Sequence, residues 1–347
     1  MKIVRDASLL PLNTFGMDVR CAVLIDYSSE DELVAFLRDD EYSEFRVGPL
    51  LSIGSGSNML FTGDFPGVAL HSSIMGIDFA SNRDGSVTAR AGAGVIWDDF
   101  CLRCAEEGLW GPENLSMIPG TVGASAVQNI GAYGREVSDI ISEIVCLDTH
   151  TLQRCRIRPS ECGYGYRQSR FKGEWKGRYI VLEVSYRLTR NYSACLDYSH
   201  VRASMQELYG PEPERGYTPS EVRGCICRIR SGKLPDPSVT GNAGSFFKNP
   251  FVDAGVFERI CEKEGLVPPH YDAGEGLVKI PAAWLIDRCG LKGHRSGGAA
   301  VCESQPLVIV NATGTASPED IITLENEVVD TVRARFGITL QHEVEHI

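Results

Sequence analysis

The order of apolar and polar residues along the chain predicts mixed helices and strands. An extended apolar stretch at Ala22 to Tyr27 is followed by a capping-box pair, Ser29 and Glu32, and by helical spacing to about Asp39. A short apolar run at Leu50 to Ile53 then completes a β-α-β pattern. Farther on, Trp97, Phe100, Cys101, Cys104 and Ala105 fall on one stripe of a helix expected from Trp97 to about Glu107. The clearest strand is RYIVLEVSYRL, Arg178 to Leu188, rich in β-branched and aromatic residues. Helices are expected over Asp253 to Gly265 and Pro281 to Cys289. Another is expected after Ser317 and Pro318, where Ile321, Leu324, Val328 and Val332 form a stripe that ends at Gly337. The closing ITLQHEVEHI alternates as a strand does and would set Gln341, Glu343 and Glu345 on one face. The Pro- and Gly-rich stretch from Tyr209 to Ser220 reads as an exposed loop, and a second boundary begins at Lys233.

Composition narrows the class. With 347 residues, 43% hydrophobic and 23% charged, the chain is globular and long enough for two or three domains. Its formal charge of −12 opposes nonspecific association with nucleic acid or anionic membranes, yet a few local Arg and Lys residues still allow an anionic small ligand. The amino-terminal MKIVRDASLLPLNTF lacks the apolar run of a secretory signal, and no stretch of 18 apolar residues occurs, so a cytoplasmic protein without membrane insertion is expected. The 12 cysteines then read as reduced thiols. Cys101 with Cys104 and Cys225 with Cys227 have local zinc-ligand spacing, but the helical stripe explains the first pair as core. The histidines show no HExxH or tight metal spacing, and no catalytic metal is expected.

Several motifs suggest chemistry. GSGSN at Gly54 follows an expected strand, where small residues let consecutive amides turn toward a diphosphate; a structural turn is the alternative. Met59 and the lack of an opening helix exclude the ordinary dinucleotide fingerprint. Leu234 after Gly232 and Lys233 excludes a Walker loop. SMIPGTVGASAVQNIGAYGR, Ser116 to Arg135, has four glycines and almost no charge, which suits backbone approach to a cofactor or buried turns. Arg167 lies among aromatics, placed either to meet an anionic group while desolvated or to stack at the surface. In GNAGSFFKNP, Ser245 follows small residues and precedes Lys248 and Asn249; without a GxSxG elbow or a nearby histidine base it suits proton delivery better than hydrolysis.

Together NTFGM, GSGSN, IPGTVGASAVQNIGAYG, YGYRQSRFK, KLPDP, GNAGSFFKNP, PAAWLIDRCGLKG, GGAAV and the terminal Glu-Val pair closely resemble one family over nearly the whole chain: the UDP-N-acetylenolpyruvoylglucosamine reductases of peptidoglycan synthesis. The length and the YGYR segment followed by Tyr198 are similar to the longer, type I form. The resemblance implies an α+β protein: a two-domain FAD-binding fold of the vanillyl-alcohol-oxidase (PCMH-type) group plus a third, α+β substrate-binding domain. The implied boundaries are 1–72 with a terminal strand at about 336–347, then 73–234, then 235–335. It further implies a monomer in which NADPH reduces FAD and a hydride then passes to UDP-N-acetylglucosamine enolpyruvate. By the same resemblance Ser245 is the general acid, while Arg167 and Glu343 polarise the substrate carboxylate. Gly54, Ser55, Gly56, Ser57, Asn58, Pro119, Gly120, Thr121, Gly123, Ala124, Gly131, Ala132 and Tyr133 would hold FAD. Tyr198, Arg230, Lys233, Asn249 and Arg295 would meet the substrate, Arg295 standing where a glutamine is expected. An FAD-dependent oxidase of a hydroxy acid or alcohol on the same fold is the rival reading, and a silent nucleotide-binding protein a third; Ser245 with the terminal glutamate argues against the oxidase, and Arg167, Ser245 and Glu343 together argue against the silent protein.

Overall fold

The computed structural model describes residues 1–43, 48–198 and 200–347. These form two compact units: Met1–Ala7, Cys21–Ser55 and Phe65–Gly232 make the first, and Ser8–Arg20, Gly56–Asp64 and Lys233–Ile347 the second.

In the first unit the expected β-α-β segment is present as the strand Arg20–Tyr27, the helix Glu30–Arg38 and the strand Leu50–Ile53. The two strands are not neighbours, because Phe65–Ser72 lies between them and runs parallel to both. Its Val68, Ala69 and Leu70 are all buried, as a strand covered on both faces requires. The helix cap differs in detail from the expected box. Ser29 Oγ accepts from Glu32 N at 3.2 Å, but the Glu32 carboxylate accepts from Ser28 N at 2.7 Å instead of closing on Ser29.

A five-stranded antiparallel sheet forms the rest of this unit's frame, in the order Gln153–Ile157, Ile141–Asp148, Tyr179–Thr189, Ser86–Gly92, Ile77–Ser81. The central strand Tyr179–Thr189 explains its own composition, since it faces two cores. Ile180 and Leu182 pack with Val23, Ile25 and Phe36, whereas Val181, Val184, Tyr186 and Leu188 pack with the helix Trp97–Glu106. That helix buries Trp97, Phe100, Cys101, Cys104 and Ala105, the stripe expected from the sequence. Burial pushes the Cys101 and Cys104 thiols well above their ordinary range, which suits core packing and disfavours thiolate ligands.

The second unit is built on the helix Pro318–Phe336. Ser317 caps it, Asp320 reciprocates, and Gly337 ends it at φ 71°. The helices Ala254–Glu264 and Ala282–Arg288 lie close to their expected spans. The terminal strand is much shorter than expected. Only Glu345–His346 is a strand, paired in parallel with Met59–Leu60. The residues before it are drawn to another partner: Lys248 N donates to Gln341 O at 2.8 Å and Glu343 N to Phe246 O at 2.7 Å. One continuous alternating face through Gln341, Glu343 and Glu345 is therefore not formed.

Candidate active site

The glycine-rich run folds around the helix Val122–Gln128, whose cap Thr121 accepts from Ala124 N at 3.4 Å. Val122 N and Gly123 N donate to Val95 O and Ala93 O at 2.8 and 3.0 Å, so the helix start is tied to the loop after Ser86–Gly92. Gly54 approaches the same cap closely; a Cβ there would lie 2.8 Å from Thr121 Oγ1. Gly56 meets a different neighbour, since its Cβ would lie 1.8 Å from Leu12 O. Both glycines are thus demanded first by contact with the protein itself. What remains for a ligand is the backbone: among the described residues, the N–H groups of Ser55, Gly56 and Ser57 have no acceptor in the chain. Consecutive amides of this kind fit a diphosphate such as that of FAD. Pro119 is exposed and Gly120 is buried at φ 124°, and both lead into the Thr121 cap.

The C-terminal end of the same helix positions Arg167. Its last carbonyls would lack partners; instead Tyr164 OH donates to Ala126 O at 3.0 Å and Ser169 Oγ to Val127 O at 2.6 Å. Lys172 Nζ adds a bond to Gln128 Oε1 at 2.9 Å. Held at these points, Gly165 and Gln168 bond reciprocally at 3.1 and 3.0 Å, and Arg167 occupies the turn at φ 54°. Its Nη2 donates to Gly131 O, and its Cζ lies 5.3 Å from the Tyr166 ring centroid. Asn129, at φ 45°, completes the support by donating to Gly165 O at 2.9 Å and Glu136 Oε2 at 2.8 Å.

Gly131, Ala132 and Tyr133 follow directly. Tyr133 lies edge-on to Tyr198 at 6.1 Å, and Asn114 Nδ2 ties Tyr133 O and Cys195 O together at 2.9 Å each. Burial raises the Tyr133 phenol's pKa, while Arg230 opposes the shift. Arg230 comes from the helix Pro219–Ser231, and among the described residues its buried Nε has no hydrogen-bond partner. Burial lowers its pKa most, Arg167 adds like-charge repulsion, and Asp98 is already engaged by Arg223 at 2.6 Å. Arg167, Tyr133, Tyr198 and Arg230 therefore converge in one electropositive, partly desolvated cluster. Asn114 and Asn129, which hold it together, were not singled out from the sequence: Asn114 has no local motif to mark it, and Asn129 lies within the glycine-rich run, where the glycines carried the signal.

In the second unit, half-buried Ser245 follows Gly244 at φ 71° and precedes Phe246 and Phe247, which are 0% and 1% exposed. The antiparallel pairing of 246–248 with 341–343 brings Ser245 and Glu343 to the same strand pair, and Asn58 Nδ2 donates to Glu343 O at 3.2 Å. Asn249 Oδ1 accepts from Ala282 N at 2.9 Å, which caps the next helix and leaves Nδ2 as the donor for a ligand. Lys233 is exposed and its carbonyl accepts from Ser304 Oγ. Arg295 is exposed on a hairpin opposite Ala300.

Residues 22–150 match the model of an FAD-binding domain, a class that glycine-tight turns with open amides suit. Residues 236–347 match the UDP-N-acetylenolpyruvoylglucosamine reductase C-terminal domain. Reductases of that name from Bacteroides fragilis and Porphyromonas gingivalis are 44% and 42% identical, over 98% and 100% of both chains respectively. The solved reductase from Thermus caldophilus shares the fold, with TM-score 0.64 at 23% identity, covering 99% of this chain and 98% of that one. The chain belongs to the UDP-N-acetylenolpyruvoylglucosamine reductase family. Among the described residues no helix is long and apolar enough to cross a membrane.

Proposed function

We propose that the protein reduces UDP-N-acetylglucosamine enolpyruvate to UDP-N-acetylmuramate in peptidoglycan precursor synthesis, as a cytoplasmic monomer that uses FAD and NADPH. When bound, FAD supplies the hydride carrier between NADPH and the enolpyruvyl methylene. Ser55, Gly56 and Ser57 offer amides to its diphosphate, and the turn from Gly120 to Ala124 borders the same strand end. The observation that carries the substrate reading is the Arg230 guanidinium, buried at Nε without a partner beside Arg167. Such a group is stabilised by an anionic ligand that completes its hydrogen bonds.

Hydride addition to the methylene leaves negative charge delocalised into the substrate carboxylate. Arg167 and Glu343 polarise the substrate carboxylate and stabilise the intermediate, and Ser245 Oγ–H delivers the proton to the adjacent carbon. Arg230, Lys233 and Tyr198 hold the nucleotide or sugar, with Asn249 and Arg295 at its edge. The test is an anaerobic half-reaction: bleach the flavin with NADPH, add the UDP-linked enolpyruvyl sugar, and follow the return of visible absorbance. Rapid recolouring is expected, whereas bleaching that reverses only with oxygen would give the reading to an oxidase. Ser245→Ala should leave bleaching near normal and slow recolouring by at least about a hundredfold; equal slowing of both halves would refute the proton-donor role.

A further inference from the structure

Two of the histidines without a role in the reaction converge on a buried carboxylate. Glu325, 7% exposed, sits in the middle of the helix Pro318–Phe336, and His342 and His346 approach it from the terminal segment. His342 Nδ1 lies 3.0 Å from Glu325 Oε1 and His346 Nε2 lies 3.1 Å from Oε2. The second contact has ion-pair distance without hydrogen-bond alignment, and this Nε2 is fully buried with no hydrogen-bond partner among the described residues. The two imidazole rings are 4.4 Å apart between centroids, and one donor atom from each of the three residues lies within 4.8 Å of the others.

We infer that Glu325, His342 and His346 form a binding site for one divalent transition-metal ion of the zinc class. Two imidazole nitrogens and a carboxylate oxygen are a recurrent ligand set for such ions, which leave a fourth position to water. Bonds of 2.0–2.1 Å in a tetrahedron separate donors by about 3.3 Å, close to the 3.0 and 3.1 Å found between the histidines and the carboxylate. Because those two distances end on different oxygens of the carboxylate, the three donors, which lie within 4.8 Å of one another, must still close onto a single oxygen. The rigid element is the helix, capped at both ends, so Glu325 is the fixed ligand. The His342 side chain is 50% exposed, which provides entry for the ion and room for its water. An ion bound there would clamp the terminal segment, with Glu343 between the two histidines, to this helix. The site stands independently of the proposed reaction, since none of its ligands takes part in that chemistry.

The test uses the FAD-loaded protein, stripped with a chelator and dialysed against Co²⁺, with bound metal measured against free ion. Wild type should bind one equivalent more than the His342→Ala/His346→Ala double variant. Removing a direct ligand should cost at least the tenfold or more that loss of an outer-shell partner costs, so each single variant should bind at least about tenfold more weakly. Glu325→Gln and His342→Gln keep side-chain shape and provide the same comparison if the double variant loses its flavin absorbance. Uptake at unchanged stoichiometry and affinity in these variants would place the ion elsewhere in the chain and overturn the site. Lack of uptake by wild type at about 1 mM free Co²⁺, weaker than any site of consequence, would overturn it equally.

Discussion

Replacing Gly56 by alanine separates two explanations of the GSGSN loop. A Cβ at this position would lie 1.8 Å from Leu12 O and 2.8 Å from Asn13 Cα, and ordinary contact begins at 3.4 Å, so the backbones must part by 3.4 − 1.8 = 1.6 Å. The opposing chain resists that movement. Asn13 is buried, donates to Leu9 O and Met17 O at 2.9 and 3.0 Å, and accepts from Met17 N at 2.8 Å. The φ of +60° adds a second cost of about 1–2 kcal/mol for an L side chain, beside about 1–3 kcal/mol for overpacking. The sum is roughly 2–5 kcal/mol, or a Tm fall of roughly 4–20 °C at the 2–4 °C per kcal/mol of larger domains. Gly63→Ala, with open space around its Cβ and no positive φ, should stay within about 0.5 kcal/mol. Thermal unfolding with saturating FAD, paired with flavin stoichiometry, reads both quantities. If Gly56→Ala keeps the wild-type Tm but loses FAD, the glycine serves cofactor approach and the packing argument is wrong.

Arg230→Met should leave thermal stability unchanged or raised, because it removes a buried charge with an unpartnered Nε, while raising KM for the UDP substrate by about tenfold or more; unchanged KM would remove Arg230 from the anion site. Cys101 and Cys104, 0% exposed with thiols held far above neutral pH, should remain unlabelled by iodoacetamide in the native protein at pH 8. Mass spectrometry after quenching checks this, and labelling at the rate of a free thiol would contradict the core assignment. Hydrogen bonds from Arg335 and then Arg288 lower the Glu264 pKa, so its contribution to stability is complete above the unfolded value near 4.3 and is lost as pH falls through the lower folded value. Glu264→Gln should therefore lower Tm at pH 7 and narrow the gap to wild type in acid; a gap independent of pH down to about 2 would refute the linkage.

Much of the helix content was legible because its signals are local. Ser317, Pro318, Asp320 and Gly337 mark both ends of one helix within a turn of each end, and the Trp97–Glu106 stripe needs only the helical period. Strand order was less legible: nothing near Arg20–Tyr27 or Leu50–Ile53 indicates that Phe65–Ser72 will insert between them, since that pairing is non-local. The terminal segment shows the same effect. Its alternation is genuine, but Gln341 and Glu343 bond to 246–248 while Glu345 and His346 bond to Met59–Leu60, so competing partners divide the strand. Arg167 was recognisable as a guanidinium among aromatics. Its placement depends on Tyr164 and Ser169 meeting carbonyls some 40 residues earlier. The approach of His342 and His346 to Glu325 was hidden for a similar reason, with the carboxylate 17 residues before the nearer histidine and its burial invisible from the helical stripe alone.

The charge of the protein and the charge of its candidate site have opposite signs, and the contrast bears on how an anionic substrate is accepted. A net charge of −12 is spread over exposed carboxylates, where water and salt screen each contribution within about 10 Å. Arg167 and Arg230 act at shorter range. Arg167 is fixed by a bond to Gly131 O and Arg230 is half-buried, so neither can turn away into solvent without breaking the arrangement that holds it. Their mutual repulsion and the unpartnered Nε are costs carried by the ligand-free fold. Asp98, the carboxylate acting on Arg230, is shared with Arg223. A carboxylate or diphosphate entering the cluster relieves both costs at once, whereas a neutral ligand relieves neither. The local preference for an anion thus follows from how the two guanidinium groups are buried and held, and is compatible with the acidic composition of the whole chain.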